Sequence, residues 1–352
     1  GQIPVVDRGS HKIIGIVTRT DLLKTLSRKS SASSRKNLAD KLSMALPPAR
    51  LDLLKAIANI AKEQGSAIYI VGGFVRDLLL NRPSLDFDIV VEGNAVNLAL
   101  AVKAKFGGRI TSHKQFGTAK WFMDLSSEFI PKNNQREKNN LATDLELQTT
   151  LDFITARREF YKHPTALPTV ESGSIKLDLH RRDFTINTLA IRLDGRHFGD
   201  LHDYWGGYND LRRGLVRVLH SLSFIDDPTR MLRAVRYEQR YAFTLGQRTH
   251  QLLLAALPML ERTSGYRIRH EIDKIFAEEN MIQIMDHLHE LGILNKIHPD
   301  LIWDEWARMH LAEINLPPKD WGIGPDIKGI PIKNIFTYII WLIRIPVSRA
   351  QK

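Results

Sequence analysis

The stretch Ile68-Tyr69-Ile70-Val71-Gly72-Gly73-Phe74-Val75-Arg76-Asp77-Leu78-Leu79-Leu80, followed after a short turn by Leu85-Asp86-Phe87-Asp88-Ile89-Val90-Val91, decides the fold. Its first half reads as a β-branched and aromatic strand, a Gly-Gly turn and the start of a helix. Its second half reads as a strand carrying two carboxylates. Side chains alternate faces along a strand, so Asp86 and Asp88 are expected on one face and Phe87 on the other. Gly72 and Gly73 let backbone N–H groups approach a phosphate, and the helix start that follows favours an anion. Arg76 adds a charge-assisted contact, with Asp77 beside it. A Gly-Gly turn alone is an ordinary strand-to-helix connection, and a lone Asp-x-Asp is common on surfaces. Set about ten residues apart, the two together point to a site for divalent metal and phosphate.

The 352 residues are long enough for two or three domains. Hydrophobic content of 43% and charged content of 25% describe an ordinary globular chain. Lys and Arg number 50 against 39 Asp and Glu, a formal charge of +11 that suits a polyanionic partner. There is no cysteine, which excludes disulfides and thiolate metal sites and fits a cytoplasmic setting. The opening Gly1-Gln2-Ile3-Pro4 has neither the charge nor the apolar run of a signal peptide and lacks an initiator Met, so an excised part of a longer chain is expected. The apolar run Ile335 to Ile345 is too short to span a bilayer, so no membrane partner is expected.

Along the chain, Ile3-Pro-Val-Val6 and Ile13-Ile-Gly-Ile-Val17 read as short strands, and Thr18-Arg-Thr-Asp21 as a helix cap. This segment, 1–26, resembles the second half of a CBS module; with only half present, no working nucleotide site is expected in it. Residues 27–41, rich in Ser, Lys and Arg, read as a linker. Leu51, Leu54, Ile57, Ala58 and Ala61 recur at helical spacing before the opening strand. Residues 95–105 read as a helix, Thr118 to Met123 and Leu151 to Thr155 as strands, and the polar segment 126–150 as an inserted loop. From about residue 211 the pattern is helical, at 229–240, 247–257, 267–278, 281–291 and 333–345. The expected fold class is α+β: a mixed α/β head over 42–200, a helical neck over 201–280 and the start of a helical body, expected to be truncated, over 281–352.

Two further stretches carry chemistry. In His180-Arg181-Arg182-Asp183-Phe-Thr-Ile-Asn187, two guanidinium groups suit a triphosphate, and Asp183 can accept from a ribose hydroxyl. In Asp226-Asp227-Pro-Thr-Arg230-Met-Leu-Arg233-Ala-Val-Arg236, Pro228 suits a first helical turn. Asp226, Asp227, Arg230 and Arg233 are then expected on one side of a helix, with Arg236 and Arg240 extending the basic stripe. Each could equally be a solvated salt-bridge cluster.

Over residues 45–280 these motifs, in this order and spacing, resemble the class II tRNA nucleotidyltransferase family, the CCA-adding enzymes and their poly(A) polymerase relatives. Glu261-Arg-Thr-Ser-Gly-Tyr-Arg267-Ile-Arg269-His-Glu271 resembles the family's helix start that closes the neck. The resemblance implies that Asp86 and Asp88 ligate Mg²⁺, with Asp152 a third catalytic carboxylate. It implies that Gly72, Gly73, Arg76 and Asp77 form the triphosphate motif, Arg181, Arg182, Asp183 and Asn187 the ribose motif, and Asp226, Asp227, Arg230, Arg233 and Arg236 the nucleotide-selecting part, in which Asp227, Arg230 and Arg233 read the base. The implied partners are the tRNA 3′ acceptor end and CTP or ATP, or both; oligomeric state is left open. The chemistry is consistent: a carboxylate facing the exocyclic amino group and a guanidinium facing the ring nitrogen admit C and A and reject G and U. The family's usual Glu-Asp pair is here Asp226-Asp227, which leaves CC-addition, A-addition and full CCA-addition open. A poly(A) polymerase and a non-catalytic nucleotide-sensing RNA-binding protein are the rival readings.

Overall fold

A computed structural model describes residues 2–7, 9–10, 13–18, 36–82, 87–113, 116–124, 150–160, 169–313, 326–327, 330–346 and 348. The chain divides into two compact units, 1–37 and 38–352. In the first, β1 (Gln2–Val6) and β2 (Ile13–Thr18) pair antiparallel with Gln2 opposite Thr18, the two strands the apolar runs suggest. The Asp7 carboxylate accepts the backbone N–H groups of Gly9 and Ser10 and so holds the turn between them. The helix expected after Thr18 and most of the expected linker lie outside the described residues.

The second unit begins earlier than expected. Leu38 is buried and donates its N–H to the Gly199 carbonyl at 2.7 Å, and α1 (Ala39–Ala45) follows directly. Residues 38–41 therefore belong to this unit and not to a linker. In α2 (Pro48–Glu63), Pro48 fills the first helical position, where a missing N–H costs nothing. Leu53, Leu54, Ile57, Ala58 and Ala61 form its buried stripe.

Next come β3 (Ala67–Val71), α3 (Gly73–Leu79), β4 (Asp88–Glu92), α4 (Ala95–Phe106), β5 (Arg109–His113), β6 (Thr118–Phe122) and β7 (Thr150–Thr155). They are followed by β8 (Arg157–Phe160), β9 (Thr169–Ser172), α5 (Ile175–His180), β10 (Leu189–Arg192) and β11 (Leu201–Asp203). Seven of these strands form one sheet in the order β11-β10-β3-β4-β7-β6-β5. Only β4 and β7 run parallel within it. Because β11 pairs with β10, Leu201–Asp203 belong to the sheet, past the expected head boundary at 200. The expected insertion shifts slightly: Thr150 already lies in β7, and residues 125–149 are outside the described set.

The sheet is covered on both faces, which is why β3 reads as an unbroken apolar run. On one face Ile68, Ile70, Ile89, Val91 and Phe153 pack with Leu53, Leu54 and Ile57 of α2 and Leu98, Ala99 and Val102 of α4. On the other, Tyr69, Val71, Val90 and Ala190 pack with Ile175 and Leu179 of α5. Asp88 precedes Val90 by two, and Asp152 precedes Ile154, a neighbour of the same cluster, by two. Period two therefore sends both carboxylates to the α5 face.

The remainder is mostly helical: α6 (Gly207–Arg212), α7 (Ser223–Asp226), α8 (Arg230–Tyr241), α9 (Gln247–Ala256), α10 (Gly265–Phe276), α11 (Met281–Glu290), α12 (Ile293–Ile297), α13 (Glu305–Ala312) and α14 (Ile332–Leu342). A short parallel pair, Leu215–Val216 with Thr244–Leu245, ties the start of this region to the end of α8. Among the described residues no helix is long and apolar enough to cross a membrane. Phe153 is fully buried at the centre of the sheet. Phe153→Ala is expected to cost about 3–5 kcal/mol, read as a lowered urea midpoint with an unchanged slope.

Candidate active site

At the end of β3 the backbone turns through Gly72 with φ +71°. A Cβ there would come within 2.7 Å of Arg182 Nη1, so both the backbone conformation and the close approach call for glycine. Gly73 opens α3. Arg76, on the first turn, is buried and fully engaged. It makes a two-pronged contact with Asp77 at 2.9 Å, donates to Asn187 Oδ1 at 2.7 Å and lies over the Tyr241 ring at 4.6 Å. Asp77 also accepts from Tyr241 Oη at 3.0 Å, so it orients Arg76 from behind.

The second wall comes from the end of α5. Asp178 has a fully buried side chain and holds Arg181 at 2.7 Å and Arg182 at 3.1 Å. Burial alone would raise its carboxyl; the two guanidinium groups outweigh that and hold it below the ordinary 3.8. Asp183 is likewise buried. It accepts from the Phe184 N–H at 2.8 Å, Asn187 Nδ2 at 2.9 Å and Arg233 Nε at 2.8 Å. Here too burial pushes upward, and Arg233, Asn187 and Arg230 bring the carboxyl well below the carboxylate range.

The third wall is the start of α8, and it corrects an expectation. Asp226 closes the separate short helix α7, Asp227 and Pro228 lie between the helices, and α8 starts only at Arg230. The four residues therefore do not share one helical face. The Asp226 carboxylate lies 4.0 Å from His220, away from the cavity lining. Asp227 accepts from the Thr229 N–H and hydroxyl at 3.0 and 2.6 Å and pairs with Arg267 of α10 at 2.7 Å. Arg230 is buried, donating to Ser223 Oγ at 2.8 Å and the Arg181 carbonyl at 2.9 Å. Arg233 lies 3.5 Å from Glu271 of α10 and Arg236 3.7 Å from the same carboxylate.

These walls enclose a cavity of about 390 Å³. It gathers Gly73, Arg76, Arg181, Arg182, Asp183 and Asn187 from the sheet side and Asp227, Arg230 and Arg233 from the helical side. Five guanidinium groups face three carboxylates (Asp183, Asp227, Glu271), a balance suited to a polyanion. Gly72, Asp77 and Arg236 stand behind the lining, and Asp226 stands apart from it.

Asp88 and Asp152 sit directly opposite each other in the parallel β4–β7 register, on strands ~4.8 Å apart. Lys120, opposite Asp152 on β6, reaches its carboxylate at 3.3 Å. β4 starts at Asp88, so the expected strand through Asp86 is shorter than its sequence suggests, and Asp86 lies outside the described residues. Among the described residues no three His, Asp or Glu form a metal cluster. The exposed Asp88 carboxylate and the half-buried Asp152 carboxylate are hard oxygen donors on one face, which fits a divalent cation such as Mg²⁺.

Asp178, Lys120, Tyr237 and Arg267 were not singled out by sequence reasoning for this site. A signal existed for Asp178, an acid three and four residues before paired arginines on a helix. Arg267 falls in the Glu261–Glu271 stretch that carries the resemblance, without a role assigned to it there, and nothing local marks Lys120 or Tyr237.

Fold and site together define a nucleotidyltransferase head joined to a helical region. The family models for the poly(A) polymerase head domain and for the probable RNA and SrmB-binding site of polymerase A match residues 68–217 and 242–303. A solved CCA-adding enzyme is 34% identical with TM-score 0.74, covering 90% of this chain and 69% of its own. The Thermotoga maritima CCA-adding enzyme, solved in complex with tRNA, is 32% identical with TM-score 0.69 over 90% of this chain and 68% of its own. The A-adding tRNA nucleotidyltransferase of Geobacter sulfurreducens is 36% identical over 308 residues, 83% of this chain and 32% of its own length. That of Halalkalibacterium halodurans is 36% identical over 261 residues, 73% of this chain and 56% of its own. The chain belongs to the family of tRNA nucleotidyltransferases and poly(A) polymerases. It spans 32% and 56% of the length of these two curated relatives.

Asp178→Asn keeps the shape but leaves two guanidinium groups facing an amide in place of their counter-charge, and should cost about 3–5 kcal/mol by thermal melting. Asp178 and Asp183 both titrate below 3.8, so the stability they add is present above that pH and is lost as pH falls through their folded values. In an acid titration, Asp178→Asn should therefore unfold at a higher pH than the parent protein.

Proposed function

We propose that this chain carries the catalytic part of a template-independent tRNA nucleotidyltransferase that adds A, from ATP, to a tRNA 3′ end, releasing pyrophosphate. The observation that carries the reading is the cavity in which an arginine-rich, Gly72-Gly73-backed wall meets Asp227 and Arg230 of the helical region. Arg76, Arg181 and Arg182 suit the triphosphate, and Asp183 with Asn187 suits the ribose. A carboxylate from Asp227 and a guanidinium from Arg230 match the amino group and ring nitrogen of A or C and mismatch G and U. Protein side chains then do the work of a template. A-addition is favoured over CC-addition because the A-adding relatives reach 36% identity and the CC-adding enzyme of Geobacter sulfurreducens 32%.

Asp88 and Asp152, with Asp86, would hold Mg²⁺. When bound, such a cation lowers the pKa of an attacking hydroxyl and neutralises charge on the leaving phosphates. The chain's own part is positioning: the arginine wall fixes the phosphates, and the α8 side fixes base and sugar, so that the RNA 3′-hydroxyl meets the α-phosphate in line. The surplus of Lys and Arg favours backbone grip on the tRNA acceptor arm. A cytoplasmic setting suits these substrates, and residues 1–26 are read as the second half of a CBS module without its own nucleotide site.

The test is incubation with Mg²⁺, each NTP singly, and tRNA transcripts ending before the terminus, in C, or in CC. A single A on the CC-ended transcript is the expected product. G or U incorporation overturns the side-chain templating, and unlimited A on unrelated RNA replaces the reading with poly(A) polymerase. Asp88→Ala should lower the rate by more than about a thousandfold while leaving the melting temperature near that of the parent. Undiminished function in that variant would restore the non-catalytic reading.

A further inference from the structure

The cavity leaves one motif residue unused. Asp226 points away from it toward His220, at 4.0 Å. His220 begins a row of rings: it stacks on His180 with centroids 5.8 Å apart and planes 19° apart, and His180 lies against Trp205 at 4.7 Å. One edge of Trp205 packs on the cluster around Tyr69 and Ile175, and the two imidazoles lie outside it. His180 is exposed, and His220 and Trp205 are half-buried. Partial desolvation by the neighbouring rings, with Lys176 near His180, shifts both imidazoles below their ordinary value. Cations rim the row. Lys176 lies over the neighbouring Tyr204 ring at 5.8 Å, and Arg217, 45% exposed, comes close to Gly206 beside Trp205.

The position of the row gives it meaning. His180 directly precedes Arg181, and Asp226 directly precedes Asp227; Arg181 and Asp227 both line the nucleotide cavity. The row is thus a continuation of two cavity walls onto the surface. Flat neutral rings bordered by Lys and Arg are the chemistry that binds unpaired nucleotides: bases stack on the rings, and the cations follow the phosphates. A protein partner would not need the cation rim, and a duplex offers no free base faces.

We propose that His180, His220 and Trp205 form a stacking platform for the unpaired 3′-terminal nucleotides of the RNA substrate. This rests on the nucleotidyltransferase reading and adds a subsite to it. His180 and His220 are positioning residues for the RNA and touch neither the incoming nucleotide nor the metal.

The test measures KM for the RNA primer and for ATP separately in His180→Ala/His220→Ala. The primer KM should rise roughly tenfold, with the ATP KM within about twofold of the parent value. His180→Phe/His220→Phe should recover primer binding, because stacking needs a ring and not an imidazole. A primer with an abasic residue just before its 3′ end should lose a similar factor in the parent protein and little more in the alanine variant. An unchanged primer KM, an equal rise in both KM values, or failure of the phenylalanine variant to recover overturns the platform. Should the parent protein extend no RNA at all, the enzyme reading fails. Fluorescence anisotropy with a labelled single-stranded oligonucleotide then decides the platform alone: equal affinity of parent and alanine variant overturns it.

Discussion

The buried contact between Asp183 and Arg233 is the constraint on which the rest of the site depends. Asp183 stands at the end of the α5 segment packed on the sheet; Arg233 stands on α8, in the helical region. Their pairing fixes the distance between the two walls, and each partner is anchored from behind. Asn187 and the Phe184 N–H hold Asp183, while Glu271 of α10 backs Arg233. Breaking a pair of this kind leaves an uncompensated buried charge, so neither residue is replaceable alone. The cavity is therefore a property of the joint between sheet and helices and belongs to neither part by itself.

Behind that joint lies a repeated device: each arginine that faces the cavity has its own acceptor. Arg76 has Asp77 and Asn187, Arg181 and Arg182 share Asp178, and Arg230 has Ser223 and the Arg181 carbonyl. Clustered cations repel, and these acceptors offset the repulsion while fixing where each guanidinium points. An anion entering the cavity then meets donors already in position, with little side-chain ordering left to do.

Much of this was legible in the chain. The strand–Gly-Gly–helix unit, α4 and the long helices from α8 onward follow from period and composition, because their apolar residues face one continuous core. Less legible were β5, β8, β9 and β10. Arg109–His113 is a mostly exposed edge strand with no apolar alternation, and β8 and β9 form a small hairpin of their own outside the main sheet. At the site, residue types grouped within one short motif were easy to read. Partners that arrive from distant segments were not: Lys120 carries no local mark, and the Glu261–Glu271 stretch does not reveal that its Arg267 meets Asp227. The Asp226 misreading has the same origin. Helical spacing suggested one face, but the chain breaks at Asp227-Pro228 and restarts at Arg230, which sends the first acid the other way.

The parallel pairing of β4 with β7 has a kinetic side. Asp88 and Asp152 are separated in the chain by α4, β5 and β6, and parallel pairing over such a separation is intrinsically slow because loop closure costs entropy before the contacts offset it. The face that carries the two carboxylates is thus assembled from segments far apart in the chain, and α4, β5 and β6 all have to be accommodated for Asp88 and Asp152 to stand side by side.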